Sequence, residues 1–333
     1  MGGYIRTLIV GDPHLDVRRL DDNRVFLDKI IELSNTHEAT IILGDCFNNF
    51  AVIRSEILNQ WNYFFNFAQH KVICLVGNHD YAGQQGGSHA LSPFHAPDRD
   101  VWVVDDWTKI GDAYYAPFMR DDKAFEAKCK EIPNGSVLFC HQSFLGARFS
   151  SGFEDPNGAN AECVKHLSNV ISGHIHTNQR IQNVWYPGTP YQNNFGEAGE
   201  KKRVFTIDLQ PNDYKIVEEH DLGLPEFVVF DAESIDKVSL GEPNPRSFYK
   251  VSSKGSPAEI AAFWADPKTK AFREKTRRMV DAVVADRGQV ILPGSKVGTK
   301  MEKLDEYIKS QKWTTPTDTL CDAARVLFFR PSK

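Results

Sequence analysis

Side chains of the types that bind transition-metal ions recur at the ends of short apolar segments. They are Asp12, His14, Asp45, Asn78, His141, His174 and His176. Carboxylate, amide and imidazole ligands together suit Mn²⁺, Fe²⁺ or Zn²⁺ better than Mg²⁺ or Ca²⁺, which prefer all-oxygen cages. Seven ligands exceed the needs of one ion. They match two ions that share one carboxylate, the arrangement that clamps the attacking and leaving oxygens in phosphoryl transfer.

The spacing of these residues supports one shared site. Asp12 and His14 are two residues apart, as are His174 and His176, and alternate side chains of an extended segment point the same way. His79 directly follows Asn78, so we predict that it acts as an acid or contacts phosphate rather than binding metal.

The segments that must position these ligands are apolar and of strand length. They cover residues 4–10, 39–43, 71–76, 136–140 and 170–172. Glycine follows four of them, a pattern typical of buried strands that end in turns. Ligand sites of open α/β sheets lie outside the carboxyl ends of the strands. The sequence therefore predicts a metal site at one edge of a sheet.

The composition is that of a soluble globular protein. The 333 residues are 41% hydrophobic and 25% charged, and this length suggests about two domains. No apolar stretch approaches the roughly 18 residues of a membrane span, and the N-terminus lacks a signal-peptide pattern. The six cysteines are scattered without a CxxC motif, which indicates buried thiols in a reducing compartment. We expect a cytoplasmic protein that does not bind membranes, in the host cytoplasm if it is phage-encoded.

Periodicity divides the chain into three parts, which we predict at residues 1–222, 226–292 and 296–333. The first part alternates strands with helices near 21–36, 52–69 and 122–130, and it ends in a hairpin over 203–218. The second is a small α+β unit with strands near 227–230, 248–252 and 279–284 and a helix over 257–275. The third is read as two helices, over 299–311 and 317–329.

Charge is distributed unevenly along the chain. From Arg246 to the end there are 18 Lys and Arg against 10 Asp and Glu, a balance of +8. The remainder holds 21 basic and 34 acidic residues, or −13, and the two parts sum to −5. A basic C-terminal third suits an anionic partner such as nucleic acid, although an ordinary solvated helix face would give the same count.

The ordered motifs DxH, GD, GNHD, H and GHxH, spread over residues 12–176, resemble those of the calcineurin-like metallophosphoesterase superfamily. The resemblance implies a first metal bound by Asp12, His14 and His176. It implies a second metal bound by Asn78, His141 and His174. Asp45 would bridge the two ions. His79 would contact the phosphate and protonate the leaving oxygen, with Asp80 helping to orient it.

Two later segments, YPGTPYQ at 186–192 and FGEAGEKK at 195–202, resemble those of SbcD-type nuclease subunits, which work with SMC-like ATPases at DNA ends. The implied fold is an α/β two-sheet sandwich flanked by helices, with an α+β capping domain and C-terminal helices that dock on the ATPase. The implied cofactors are two Mn ions, with Fe, Zn or Mg as alternatives, and the implied assembly is a homodimer. By this resemblance the positions that contact DNA or a nucleotide are Tyr191, Gln192 and Asn193, and the substrate-binding role of Asn48 would be to position a water or a phosphate. Asn48 departs from the Asp or His found in many relatives.

Other interpretations stay open. The enzyme could act on small nucleotides instead of DNA, or the fold could serve as a non-catalytic binding subunit, although such proteins usually lose ligands. The aromatic residues of 57–67 could pack on the sheet or form a dimer face. The basic residues at 201–203 are either phosphate contacts or plain surface.

Overall fold

The computed structural model describes residues 4–49, 52–83, 87–276 and 279–285. The strands in these ranges are β1 (Ile5–Val10), β2 (Ala39–Ile42), β3 (Lys71–Leu75), β4 (Val101–Val104), β5 (Thr108–Ile110), β6 (Ala113–Ala116), β7 (Val137–Cys140), β8 (Asn169–Ser172), β9 (Gln179–Ile181), β10 (Val184–Tyr186), β11 (Val204–Gln210), β12 (Asp213–His220), β13 (Phe227–Asp231), β14 (Phe248–Gly255) and β15 (Met279–Ala285). The helices are α1 (Leu20–Ser34), α2 (Ser55–Phe67), α3 (Asp122–Cys129), α4 (Pro257–Ala265) and α5 (Pro267–Thr276).

The first twelve strands form two mixed sheets of six strands each within the described ranges. One sheet has the order β12-β11-β1-β2-β3-β4, and the other has the order β5-β6-β7-β8-β10-β9. Strands β1 to β4 run parallel, as do β6, β7, β8 and β10. The parallel strands of each sheet therefore end at one edge, which is where the polar motifs follow.

Alternation along the strands explains how the sheets pack. Ile9 of β1 faces the second sheet and packs with Phe139 and Ile171, which belong to β7 and β8. Its neighbour Leu8 faces the other way, toward Phe26 of α1 and the aromatic residues of α2. Helix α3 covers the outer face of the second sheet. This arrangement confirms the predicted α/β sandwich flanked by helices.

Helix α2 packs most of its aromatic residues inward. Trp61, Phe64 and Phe65 are buried, whereas Phe67 is 57% exposed. Packing on the sheet therefore accounts for most of these side chains, and a dimer face stays a prediction. No helix in the described part of the chain is both long and apolar enough to span a membrane.

The third sheet has the order β13-β14-β15 and is parallel throughout. The prediction of one helix over 257–275 is wrong, because α4 and α5 are separated at Asp266. Asp266 has extended backbone, and its side chain accepts hydrogen bonds from the N–H groups of Lys268 and Thr269. Such a cap followed by Pro267 is a typical helix start. The end of the predicted capping domain at 286–292 and the helices of 296–333 lie outside the described residues.

Candidate metal centre

The predicted ligands lie together where the parallel strands of both sheets end. Asp12 and His14 follow β1, Asp45 follows β2 and Asn78 follows β3, all in the first sheet. The remaining ligands, His141, His174 and His176, follow β7 and β8 of the second sheet. The site therefore spans the seam between the two sheets.

One half of the site consists of Asp12, His14 and His176, here called the first ligand group. The ligand atoms of these residues all lie within 4.8 Å of one another. The Nε2 atoms of His14 and His176 approach to 3.1 Å. Asp12 Oδ2 accepts a hydrogen bond from the backbone N–H of His174 at 2.7 Å, which fixes the carboxylate beside the second sheet.

The other half consists of Asn78, His141 and His174, here called the second ligand group. Asn78 Oδ1 lies 2.8 Å from His174 Nδ1 and 3.2 Å from His141 Nε2. His141 Nδ1 lies 2.7 Å from the carbonyl oxygen of Leu43. A carbonyl only accepts hydrogen bonds, so Nδ1 carries a hydrogen and Nε2 is the nitrogen left to bind a metal ion.

Asp45 lies between the two groups. Its Oδ2 is 3.5 Å from His14 Nε2 and 3.4 Å from His141 Nε2. Its Oδ1 accepts a hydrogen bond from the backbone N–H of His79 at 2.8 Å. One carboxylate oxygen thus faces a histidine of each group, as the bridging role predicted for Asp45 requires.

Electrostatics favour cation binding here. Burial lowers the pKa of His14 to about 3 and that of His174 to about 4, so both are neutral, as metal ligands must be. Burial also raises the pKa of Asp12 to about 7. Burial opposes the charge on His141, but Asp45 and Asp12 outweigh it and raise its pKa to about 9. An ion that binds at His141 Nε2 would therefore displace a proton, and the oxygen and nitrogen atoms gathered here would then suit a divalent cation.

The two glycines beside the carboxylates of Asp45 and Asp12 leave no room for a larger residue in their place. A Cβ atom added to Gly77 would lie 2.2 Å from Asp45 Oδ1, and one added to Gly173 would lie 2.6 Å from Asp12 Oδ1. His14, Asp45 and His174 themselves have positive φ angles of 45°, 48° and 80°. Asp and His are among the non-glycine residues that adopt this region most readily. The turns after the strands therefore use this backbone conformation at three of the ligand positions.

His79 lies at the edge of the cluster, half-buried. Its Nδ1 is 2.9 Å from the carbonyl oxygen of Asn48, and its ring meets that of His14 edge-on at 4.8 Å. The Asn48 side chain donates to Asp16 Oδ2 at 2.7 Å. Asp80 is buried behind this pair and accepts from the N–H groups of Gly77 and Phe47, so it joins the loops that follow β2 and β3. Burial raises the pKa of Asp80 to about 8.

Of the proposed DNA contacts after β10, Tyr191 and Gln192 are buried. The Tyr191 hydroxyl donates to the carbonyl of Pro13, beside His14. Gln192 Oε1 accepts from Phe227 N at 2.6 Å, which links this segment to β13. Asn193 is half-buried, and its backbone N–H donates to Glu197 at 3.0 Å. A DNA contact stays a prediction for these residues, and the structure gives each of them a role inside the fold.

Glu197 and Lys202 support the site in a way that the sequence pattern does not predict. Lys202 is 8% exposed, so neither the surface nor the phosphate-contact interpretation describes it. Its Nζ lies 3.1 Å from Glu197 Oε2. Glu197 in turn contacts His176, and although burial opposes its charge, His176 and Lys202 lower the pKa of Glu197 to about 2. The signal in the sequence for a carboxylate that supports the metal site is the pair of acidic residues in FGEAGE, which follows the last ligand motif in the chain.

Comparison with known proteins agrees with this geometry. The profile of the family described as calcineurin-like phosphoesterase matches residues 5–178. The chain is 29% identical over 280 residues to Putative phosphoesterase 244L of Invertebrate iridescent virus 6, covering 78% of this chain and 96% of that protein. It is 26% identical over 294 residues to Putative phosphoesterase 078R of Invertebrate iridescent virus 3, covering 81% of each. With its ligands gathered where the parallel strands of both sheets end, the chain belongs to the calcineurin-like phosphoesterase family, whose members hydrolyse phosphoesters with divalent metal ions.

Proposed function

We propose that this protein is a Mn²⁺-dependent DNA nuclease that hydrolyses phosphodiesters at DNA ends, with both exonuclease and endonuclease activity. The observation that carries the hydrolytic part is the position of Asp45 between two complete ligand groups. Two divalent ions held there would supply Lewis-acid stabilisation of the phosphorus centre and activation of water. Fe, Zn or Mg are the alternative ions.

The residues of the chain have separate tasks in this reaction. Asp12, His14 and His176 would hold one ion, Asn78, His141 and His174 the other, and Asp45 both. The Asn48 carbonyl fixes the hydrogen on His79 Nδ1. Protonation of Nε2 then gives an imidazolium that can pass a proton to the leaving oxygen. Asp80 keeps the His79 loop in place through its backbone hydrogen bonds.

Support for DNA as the substrate comes from outside the metal centre. The segments at 186–192 and 195–202 resemble those of SbcD-type nucleases, and the excess of positive charge lies after Arg246. The sheet of β13 to β15 adjoins the first of these segments, because Gln192 bonds Phe227. This sheet, which the sequence predicts to belong to a separate capping domain, would offer a surface for a substrate larger than a nucleotide.

The test supplies the purified protein and Mn²⁺ with linear duplex DNA, circular single-stranded DNA and a cyclic dinucleotide. We expect both DNAs to be degraded, at rates that fall steeply as salt rises, because DNA binding releases counterions. Asp12→Asn protein, purified in parallel, controls for contaminating nuclease. Hydrolysis of the dinucleotide with both DNAs intact would favour a small-nucleotide phosphodiesterase. Bound metal near zero, with no hydrolysis of any substrate, would favour a non-catalytic subunit.

We also propose an SMC-like ATPase of the SbcC type as partner and a homodimer as the working form. Both proposals come from the resemblance of 186–202. The homodimer is tested by light scattering of the purified protein. For the ATPase, the full chain should co-elute with the purified partner, and the 1–295 fragment should not, because the predicted docking helices follow residue 295. Equal co-elution of both forms would place the docking surface elsewhere.

A further inference from the structure

A buried carboxylate lies directly behind one of the metal ligands. Glu197, at the end of the 3-10 turn Phe195–Glu197, is 1% exposed. Its Oε1 accepts a hydrogen bond from His176 Nδ1 at 2.8 Å. Its Oε2 accepts from the backbone N–H of Asn193 at 3.0 Å. Side chain and turn together hold the carboxylate in one position.

This contact determines which nitrogen of His176 faces the site. An ionised carboxylate only accepts hydrogen bonds, so Nδ1 carries a hydrogen and Nε2 is the nitrogen left to bind an ion. Nε2 is the atom that lies 3.1 Å from His14 Nε2. A carboxylate behind a ligating imidazole fixes its tautomer and orientation and strengthens it as a ligand. In the described structure His14 Nδ1 is buried without a hydrogen-bond partner. Of the two histidines in the first ligand group, His176 is therefore the one with a carboxylate behind it.

Lys202 offsets the free-energy cost of burying the charged carboxylate of Glu197. A buried charge without a partner is strongly destabilising, and Lys202 Nζ lies 3.1 Å from Glu197 Oε2. The same ammonium donates to the backbone carbonyl of His176 at 2.9 Å. The pair therefore makes two hydrogen bonds to His176, one from its imidazole to Glu197 and one from Lys202 to its backbone carbonyl. Both side chains are buried, so neither is exposed to contact a substrate.

We propose that Glu197 is a positioning residue for His176 and that, together with Lys202, it sets the affinity of the first ligand group for its ion. Within the segment 195–202, Glu197 and Lys202 then support the metal centre from behind. This inference rests on the metal-binding part of the proposed function and is independent of whether DNA is the substrate.

The test measures Mn²⁺ binding by calorimetric titration of the metal-free full-length protein. An amide offers one acceptor oxygen where the carboxylate offers two, so Glu197→Gln should keep the fold but weaken the hold on His176. We expect one of two ions to bind about 10- to 100-fold more weakly, as for other second-layer partners of metal ligands, and the other ion to bind as in wild type. Hydrolysis of bis(4-nitrophenyl) phosphate by this variant should recover at raised Mn²⁺.

The matched control is Glu200→Gln, because Glu200 also contacts Lys202, at 2.9 Å. It is expected to bind both ions with wild-type affinity. The unchanged second ion and the thermal unfolding midpoint report on folding, since an unfolded variant would lose both ions. Wild-type affinities in Glu197→Gln, or equal weakening of both ions, would overturn the inference. Failure of wild type to bind any Mn²⁺ would overturn the metal assignment itself, whereas intact DNA would leave this inference standing.

Discussion

Asp45→Asn protein is expected to lose at least about 1,000-fold in kcat/KM on any phosphodiester, or about 4 kcal/mol of transition-state stabilisation. Asp45 Oδ2 faces His14 at 3.5 Å and His141 at 3.4 Å, so removing its charge weakens both ligand groups at once. Asn has nearly the same shape and tolerates the positive φ of 48° at this position. The loss therefore reports on charge rather than on backbone strain.

Bound Mn²⁺ should fall together with activity in this variant, as measured by metal analysis after gel filtration. Asp21→Asn is the matched control, because it is the same substitution at an exposed position on α1. It should keep wild-type activity and metal content. Retention of both ions by Asp45→Asn, with activity close to wild type, would rule out the bridging role.

His79→Ala protein is expected to lose about 100- to 10,000-fold in kcat on DNA, the usual contribution of a general acid. The loss should be far smaller on bis(4-nitrophenyl) phosphate, because 4-nitrophenolate leaves without being protonated. A comparison of kcat on the two substrates thus separates proton donation from phosphate binding. Equal losses on both substrates would assign His79 to phosphate binding and not to acid catalysis.

The metal content of the His79→Ala variant decides a further alternative. A ring nitrogen of His79 lies within 4.8 Å of ligand atoms of His14 and Asp45, so the ring is near enough to be considered as a ligand. Two bound ions in the variant would leave the acid role in place, and one would make His79 a ligand. His70→Ala, at an exposed position before β3, is the control and should behave as wild type.

The gathering of the ligands within each sheet is predictable from local pattern, whereas the meeting of the two sheet edges depends on the sandwich packing, which only the family resemblance implied. An apolar run ending in Gly and a polar residue predicts a strand end, and parallel strands bring their ends to one edge. The break between α4 and α5 also has a local signal, because Asp266 followed by Pro267 is typical of a helix start, although the apolar residues of 257–275 alone favour one continuous helix.

The burial of Tyr191, Gln192 and Lys202 could not be predicted in the same way. These residues lie in an irregular segment without periodicity, and their partners, such as Pro13 and Phe227, are far away in sequence. Whether a lysine is exposed or paired inside the fold depends on a carboxylate that only the folded chain brings near. The resemblance to SbcD-type subunits singles out the segment 186–202 but does not predict the contacts of its residues.

Each ligand group draws side chains from both sheets, and this has a consequence for cohesion. The first group joins β1 to β8, and the second joins β3 to β7 and β8. An ion bound by either group would add a crosslink between the two sheets. Bound ligand adds RT ln(1 + [L]/Kd) to stability, about 2.7 kcal/mol when free metal is 100 times Kd. The concentration of free metal in the cell would then affect the stability of the folded protein as well as its catalytic rate.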